Sequence, residues 1–270
     1  MGHAQVIGII GIKGGVGKTT ATCNLAAALA NQFNKKVLVV DANFSAPNLG
    51  IHLGVLEPEV TIHHVLTNKK EITEAIYDSG HGFHIIPGQL RGSGKLNVLS
   101  LKESLKELKD AYDYILIDSS PNLNQEIAST MVAADKLFVM TTPDYPTLSC
   151  TIHAVKVARR KKVPIAGLIL NRVYNRKSEL SVEAIEEAAE TPVLAVLPHD
   201  VVMVDALGQT MPAHSLGPRK DVSVEYNHLA AAIVGESYED PRLKTKFKRF
   251  FGQKPGKPEE NRELFRAHQI

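Results

Sequence analysis

Ten residues near the start of the chain, Gly11-Ile12-Lys13-Gly14-Gly15-Val16-Gly17-Lys18-Thr19-Thr20, restrict its possible folds more than anything else in the sequence. They follow an apolar run, Val6–Ile10, and lead into an Ala-rich segment with helical spacing, Lys18–Gln32. Gly11 to Lys18-Thr19 fits the pattern G-x-x-x-x-G-K-[ST], here in the strand-loop-helix setting that gives the pattern meaning. Glycines permit positive φ and let backbone N–H groups wrap phosphate oxygens. The N-terminus of the following helix adds partial positive charge. The expected contacts to ATP run from Gly14, Gly15, Val16, Gly17, Lys18, Thr19 and Thr20. Lys18 reaches the β- and γ-phosphates, and the Thr19 hydroxyl ligates Mg²⁺.

The remainder of the chain supplies the sheet such a loop needs. Apolar runs recur at Lys36–Asp41, Phe83–Pro87, Tyr114–Asp118, Lys136–Thr141, Ile165–Asn171 and Val193–Leu197. Several are apolar throughout, as strands covered on both faces are. Helix candidates lie between them at Leu96–Ala111, Gln125–Ala133, Leu148–Lys161, Glu179–Ala189 and Ser223–Val234. This alternation predicts a three-layer α/β fold: a mostly parallel twisted sheet with helices on both faces, of the P-loop NTPase kind. One domain is expected over residues 4–236, a basic amphipathic helix over 237–252 and a disordered extension over 253–270, where Pro, Lys and Glu dominate.

Two strand ends carry further carboxylates. Lys36–Val40 ends in Asp41-Ala42-Asn43-Phe44-Ser45-Ala46-Pro47-Asn48-Leu49-Gly50, at the strand edge where open α/β sheets bind ligands. Tyr114-Ile115-Leu116-Ile117-Asp118 ends in a carboxylate about 100 residues after the glycine loop, the arrangement in which an Asp holds Mg²⁺ through water.

Lys13 is a second lysine near the start of the loop. With it the segment resembles the deviant Walker A motif of the MinD/ParA family of ATPases, and within that family the MinD-like proteins of the archaeal type. The resemblance covers residues 4–252. It implies that Lys13 reaches across a nucleotide-sandwich homodimer to the phosphates of the other subunit, coupling ATP binding to dimerisation. It makes the Asp41 segment switch I and Asp118-Ser119-Ser120-Pro121 the start of switch II. Relatives usually carry Asp-x-Asp in switch I, the second Asp acting on the attacking water; here that position is Asn43. An amide orients water but accepts no proton as a carboxylate does, so slow hydrolysis is expected. Lys13, Lys18, Asp41, Asn43 and Asp118 are then the catalytic set. By the same resemblance Asn171, in Leu170-Asn171-Arg172, and Pro198 and Asp200, in Pro198-His199-Asp200, face the adenine. A strand-end Asn in a turn is also a common structural feature.

The C-terminal segment carries the second signal. Residues 241–270 hold nine Lys or Arg against three Asp or Glu, leaving the other 240 residues with 22 basic and 26 acidic side chains. An acidic body is a poor general attractor for nucleic acid. Leu243, Phe247, Phe250 and Phe251 share one helical face, with Lys246, Lys248 and Arg249 around it. Such a helix can lie in the interface of an anionic membrane. The resemblance implies the same. A helix packed on its own domain and an arm stacking on nucleic-acid bases are the competing readings. Leu264-Phe265 is a candidate partner-binding stub. Neither Cys23 nor Cys150 has metal-ligand spacing. His63 and His64 are adjacent and diverge on a helix, so they are not read as ligands.

The expected protein is a cytoplasmic, peripheral-membrane ATPase with ATP and Mg²⁺ as cofactors, an ATP-dependent homodimer and a protein partner or activator. It would position cell-division or other polar machinery. Two alternatives stand beside it: a ParA-like ATPase that binds non-specific DNA for partition or cargo positioning, and an ATP-gated scaffold that barely hydrolyses.

Overall fold

The computed structural model describes residues 3–90, 96–242 and 256–267. Eight strands form one sheet: β1 (Gln5–Ile10), β2 (Val37–Ala42), β3 (Tyr77–Asp78), β4 (His84–Ile86), β5 (Tyr114–Ser119), β6 (Lys136–Thr141), β7 (Ile165–Val173) and β8 (Val193–Pro198). The spatial order is β3-β4-β2-β5-β1-β6-β7-β8. Neighbouring strands pair in parallel except β3, a two-residue antiparallel edge strand too short to read from the sequence.

Among the described residues the α-helices are α1 (Lys18–Phe33), α2 (Leu49–His52), α3 (Ile62–Leu66), α4 (Leu101–Ser104), α5 (Gln125–Ala133), α6 (Tyr145–Arg160), α7 (Val182–Ala189), α8 (Val202–Gly208), α9 (Ala213–Leu216), α10 (Asp221–Val234) and α11 (Lys257–Ala267). Successive strand residues point to opposite faces, which divides the core into two sides. On one side Ile7, Ile9, Leu116 and Phe138 meet α1 and α10. On the other, Leu38, Val40 and Ile117 meet α3 and α4, while Val139, Leu168 and Val193 meet α5, α6 and α7. The three-layer α/β fold expected from the sequence is the fold observed.

Two expectations need correction. The helix expected over 96–111 is broken into α4 flanked by 3₁₀ turns at Val98–Ser100 and Leu105–Leu108. Ser100 Oγ donates to Asn97 O at 2.7 Å and Ser104 Oγ to Ser100 O at 3.2 Å. Such side-chain bonds compete with the regular helical ladder. Leu101, Leu105 and Leu108 still bury one face.

The extension expected to be disordered from 253 contains α11. Asn261 and Arg262 are buried against the start of β8. Asn261 Nδ2 donates to Val193 O at 2.9 Å, and Arg262 donates from one nitrogen to Leu194 O and Glu225 Oε2, both at 3.0 Å. Phe265 packs edge-on to Phe138 at 6.4 Å, with the Lys136 ammonium 5.1 Å from its ring centroid. The candidate partner stub therefore spends its ring on the domain itself. Polar composition argued for disorder, but here the polar groups satisfy strand carbonyls that lie far away in sequence.

Candidate nucleotide site and its relatives

The site lies at the carboxyl ends of β1, β2 and β5, beside the point where the chain reverses its direction across the sheet. Gly15 and Gly17 take φ of 75° and 97°, and Gly17 forms the N-cap of α1. A Cβ at Gly17 would stand 2.4 Å from Asn171 Nδ2, a side-chain tip that can move, so it is the positive φ that calls for glycine here. Lys18, first in α1, is buried. Burial pulls its pKa down, opposed by the charge of Asp118.

Thr19 Oγ1 donates to Asp118 Oδ2 at 2.6 Å, while Asp118 Oδ1 is buried without a hydrogen-bond partner. An orphaned carboxylate oxygen beside a threonine hydroxyl is a fitting donor pair for Mg²⁺ and its water shell. Burial and the neighbouring Asp41 charge push the Asp118 carboxyl up to about 7.

Asp41 organises switch I. Its carboxylate accepts from Asn43 N at 3.0 Å, Asn48 N at 3.1 Å and Leu49 N at 3.0 Å, and from the Gly88 amide. Burial pushes it up to about 6 against these four donors. Gly88 has no side chain because a Cβ would stand 2.4 Å from Pro47 Cβ. Asn43 is buried, and its Nδ2 donates to Ala46 O at 2.5 Å. Its amide oxygen is then the group suited to orienting a water.

Lys13 sits on the exposed rim. Its Nζ donates to Thr147 Oγ1 at 2.7 Å and lies 3.4 Å from Asp144 Oδ1. Asp144 caps α6 by accepting from Thr147 N at 2.9 Å. Desolvation raises its pKa, yet hydrogen bonds from Thr142 and Thr147 and the Lys13 charge outweigh that and hold it at about 2. Gly14, Gly15, Lys13 and Asp144 border a cavity of about 420 Å³ that also reaches Arg172 and Arg176.

Of the residues expected to face adenine, Asn171 ties β7 to the loop by donating to Val16 O at 2.8 Å. Pro198 ends β8, and Asp200 accepts from Val202 N at 3.0 Å to start α8. The fold thus brings the loop, Asp41, Asn43 and Asp118 to one edge, with Asn171 against the loop and Pro198 and Asp200 at the end of the neighbouring strand. Leu243, Lys246, Phe247, Lys248, Arg249, Phe250 and Phe251 lie outside the described residues. Arg242, just before them, pairs with Asp240 at 2.6 Å and with Asp221.

Sequence reasoning missed three groups. Asp144 and Thr147 show only as a helix-start pattern, Asp-x-x-Thr. Tyr174 stacks on His199 at 4.4 Å and 26°, with Arg176 5.1 Å from the Tyr174 centroid; His199 lies inside the Pro198-His199-Asp200 segment, but Tyr174 and Arg176 carry no motif. Ser45 Oγ donates to Glu126 Oε1, a contact joining two segments 81 residues apart.

Comparison with known proteins places the chain. A family model described as an AAA domain matches residues 4–163. An uncharacterised ATP-binding protein of Methanocaldococcus jannaschii is 34% identical over 252 residues, spanning 93% of this chain and 95% of its own. The cell division ATPase MinD of Pyrococcus furiosus has a TM-score of 0.81 at 33% identity, covering 87% of this chain and 99% of that one. The septum site-determining protein MinD of Pyrococcus horikoshii, complexed with Mg-ADP, has a TM-score of 0.80 at 32% identity, covering 85% and 96%. With its deviant loop at the end of β1 and switch carboxylates on β2 and β5, the chain belongs to the MinD/ParA family of P-loop ATPases.

Proposed function

We propose that this protein is a slow, ATP-dependent dimerising ATPase that grips an anionic membrane through residues 243–251 and positions cell-division or other polar machinery. The observation that carries the reading is the placement of Lys13. Its ammonium lies on the exposed rim, bonded to the buried Thr147 hydroxyl and 3.4 Å from the half-buried Asp144 carboxylate. A positive group there is available to a second molecule's nucleotide when two site edges meet. Phosphoryl transfer is mostly positioning and charge stabilisation, so a lysine delivered in trans makes hydrolysis depend on the dimer.

Within one chain, Lys18 and the loop amides hold the triphosphate, and Thr19 with Asp118 holds Mg²⁺. Bound there, Mg²⁺ would supply charge neutralisation to the triphosphate. Asp41 fixes the backbone of switch I, and Asn43 orients water without taking its proton. That limits the rate and prolongs the ATP-bound dimer. Paired tails then give avidity that a single tail lacks. No helix among the described residues is long and apolar enough to cross a membrane, which is compatible with interfacial attachment.

Size-exclusion chromatography with and without ATP and Mg²⁺, followed by liposome co-sedimentation, tests the reading. Truncation before the tail would also remove α11 from β8. The cleaner variant is Phe247→Glu/Phe250→Glu in the full chain. The expected result is ATP-dependent dimer in both proteins and pelleting only of the wild type. A wild type that stays monomeric with ATP, or equal pelleting of both, rejects it.

One observation favours a second reading. His153, Lys156, Arg159 and Arg160 line a groove on α6, giving the acidic body a local basic face. Arg159 is paired with Glu190 at 2.7 Å, which reduces that charge. Non-specific DNA binding by this face would appear as an ATP-requiring, salt-sensitive gel shift lost in Lys156→Glu/Arg160→Glu.

A further inference from the structure

The tip of switch I is held from two sides by residues that the nucleotide motifs do not include. Phe44 O accepts from His63 Nε2 at 2.9 Å. His63 Nδ1 accepts from the Gln89 amide at 3.1 Å, so the ring proton resides on Nε2 and that nitrogen is the donor. Burial lowers the His63 pKa, partly offset by its hydrogen bond to the Phe44 carbonyl. On the other side Ser45 Oγ donates to Glu126 Oε1.

Glu126 is an unusual anchor. It is 8% exposed, its Oε2 is buried without a partner, and it stands in the first turn of α5. That turn is fixed by Asn124, whose Oδ1 accepts from Glu126 N at 3.0 Å and Ile127 N at 3.2 Å. Asn124 in turn lies four residues after Ser120 in switch II and accepts from its hydroxyl at 3.3 Å. A continuous path therefore runs from Ser120 through Asn124 and Glu126 to Ser45, two residues beyond Asn43.

A buried carboxylate with one oxygen unsatisfied is costly to keep. The helix N-terminus offsets part of that cost, and the Ser45 hydroxyl supplies the remaining directed donor. Beside the contact lies a cavity of about 700 Å³, lined in part by Phe44, Ser45, His63, Gln89, Asn124 and Glu126.

We propose that Ser45 and Glu126 form a latch joining switch I to switch II, with Glu126 a positioning residue that acts through Ser45 on the placement of Asn43. The latch rests on the ATPase reading above for its effect on turnover, but not for its effect on switch I order. It makes the two switch segments move together, so γ-phosphate contacts made by one are felt by the other.

The test uses full-length Ser45→Ala, Glu126→Ala, Glu126→Gln and the Ser45→Ala/Glu126→Ala double variant. Turnover is measured across ATP concentrations, and hydrogen exchange of residues 41–53 is followed in nucleotide-free protein. Both Ala variants should lose about tenfold in kcat with KM changed less than about twofold. Glu126→Gln keeps an acceptor and should retain turnover to within about threefold. The double variant should be no worse than the poorer single one. The Asn48 and Leu49 amides should exchange faster in both Ala variants and stay protected in Glu126→Gln. Unchanged kcat in Ser45→Ala, a loss confined to KM, additive single effects or unchanged exchange would each overturn the latch. Should Glu126→Ala fail to fold, Ser45→Ala decides, because Ser45 is exposed. If wild-type protein neither binds nor hydrolyses ATP, the ATPase reading fails, and the exchange comparison still decides the latch.

Discussion

Asp41 and Asp118 are register partners on β2 and β5, both buried at the carboxyl edge of the sheet. Parallel pairing places the two strand ends side by side, so two carboxylates share one water-poor corner beneath the phosphate loop. Both are pushed above the ordinary carboxylate range, to about 6 and about 7, by burial first. The Asp41 charge adds to the effect on Asp118.

This pair gives the nucleotide-free protein a particular pH dependence. A carboxylate whose folded pKa is raised binds more protons folded than unfolded between the two values. Stability contributed by the protonated forms is therefore present below about pH 4 and declines as pH rises towards 7. Melting temperatures measured at pH 5, 6 and 7 without nucleotide or magnesium should fall in that order once other titrating groups are matched with an Asp118→Asn control. A control with the same pH slope as the wild type would refute the assignment.

Asn43→Asp should restore a carboxylate beside the attacking water. Turnover should rise at least about tenfold, within the range that a positioned general base contributes. Steady-state phosphate release at saturating ATP is the measurement. Replacing the Asn43 amide by an acid leaves the Ala46 carbonyl without its Nδ2 donor, so a melting curve accompanies it. An unchanged rate in folded protein means that Asp41 and the loop already set turnover.

Lys13→Ala should leave nucleotide binding to the single chain within about threefold and abolish the ATP-dependent dimer, since its ammonium is bonded to Thr147 and Asp144 rather than to the loop. Isothermal titration and light scattering read the two effects separately. Asp144→Asn weakens the hold on Lys13 and should favour the dimer at lower protein concentration. A Lys13→Ala protein that dimerises normally contradicts the trans role.

Removing α11 or its central side chain should destabilise the ATPase body. Arg262→Ala leaves the Leu194 carbonyl and Glu225 without their donor. Because Glu225 is partly exposed, the expected loss is about 1–3 kcal/mol. That corresponds to about 2–12 °C in melting temperature for a domain of this size. Differential scanning fluorimetry would show it, and a chain ending at Gly252 should melt lower as well. Equal melting of all three proteins would mean that α11 contributes nothing to the fold.

The residues proposed to hold phosphate and metal are readable because their chemistry is local. A phosphate cradle needs glycines, a lysine and a hydroxyl at fixed offsets between a strand and a helix, so Gly11–Thr20 announces itself in ten consecutive residues. Asp41 and Asp118 were readable because apolar runs end at them, and the strand alternation placed both at one sheet edge. The sequence also fixed the layers, since runs such as Ile115–Ile117 have no polar face to leave in water. Tertiary structure alone decided which groups meet across long separations. Lys13 rests on Thr147, Ser45 on Glu126 and Arg262 on the start of β8, at separations of 134, 81 and 68 residues. Lys13 carries a motif signal of its own, but nothing in the sequence names Thr147, Glu126 or the Leu194 carbonyl as the group each residue meets. Only the order of strands in the folded sheet brings them within hydrogen-bond reach, and the burial that makes those bonds matter exists only once the layers have closed.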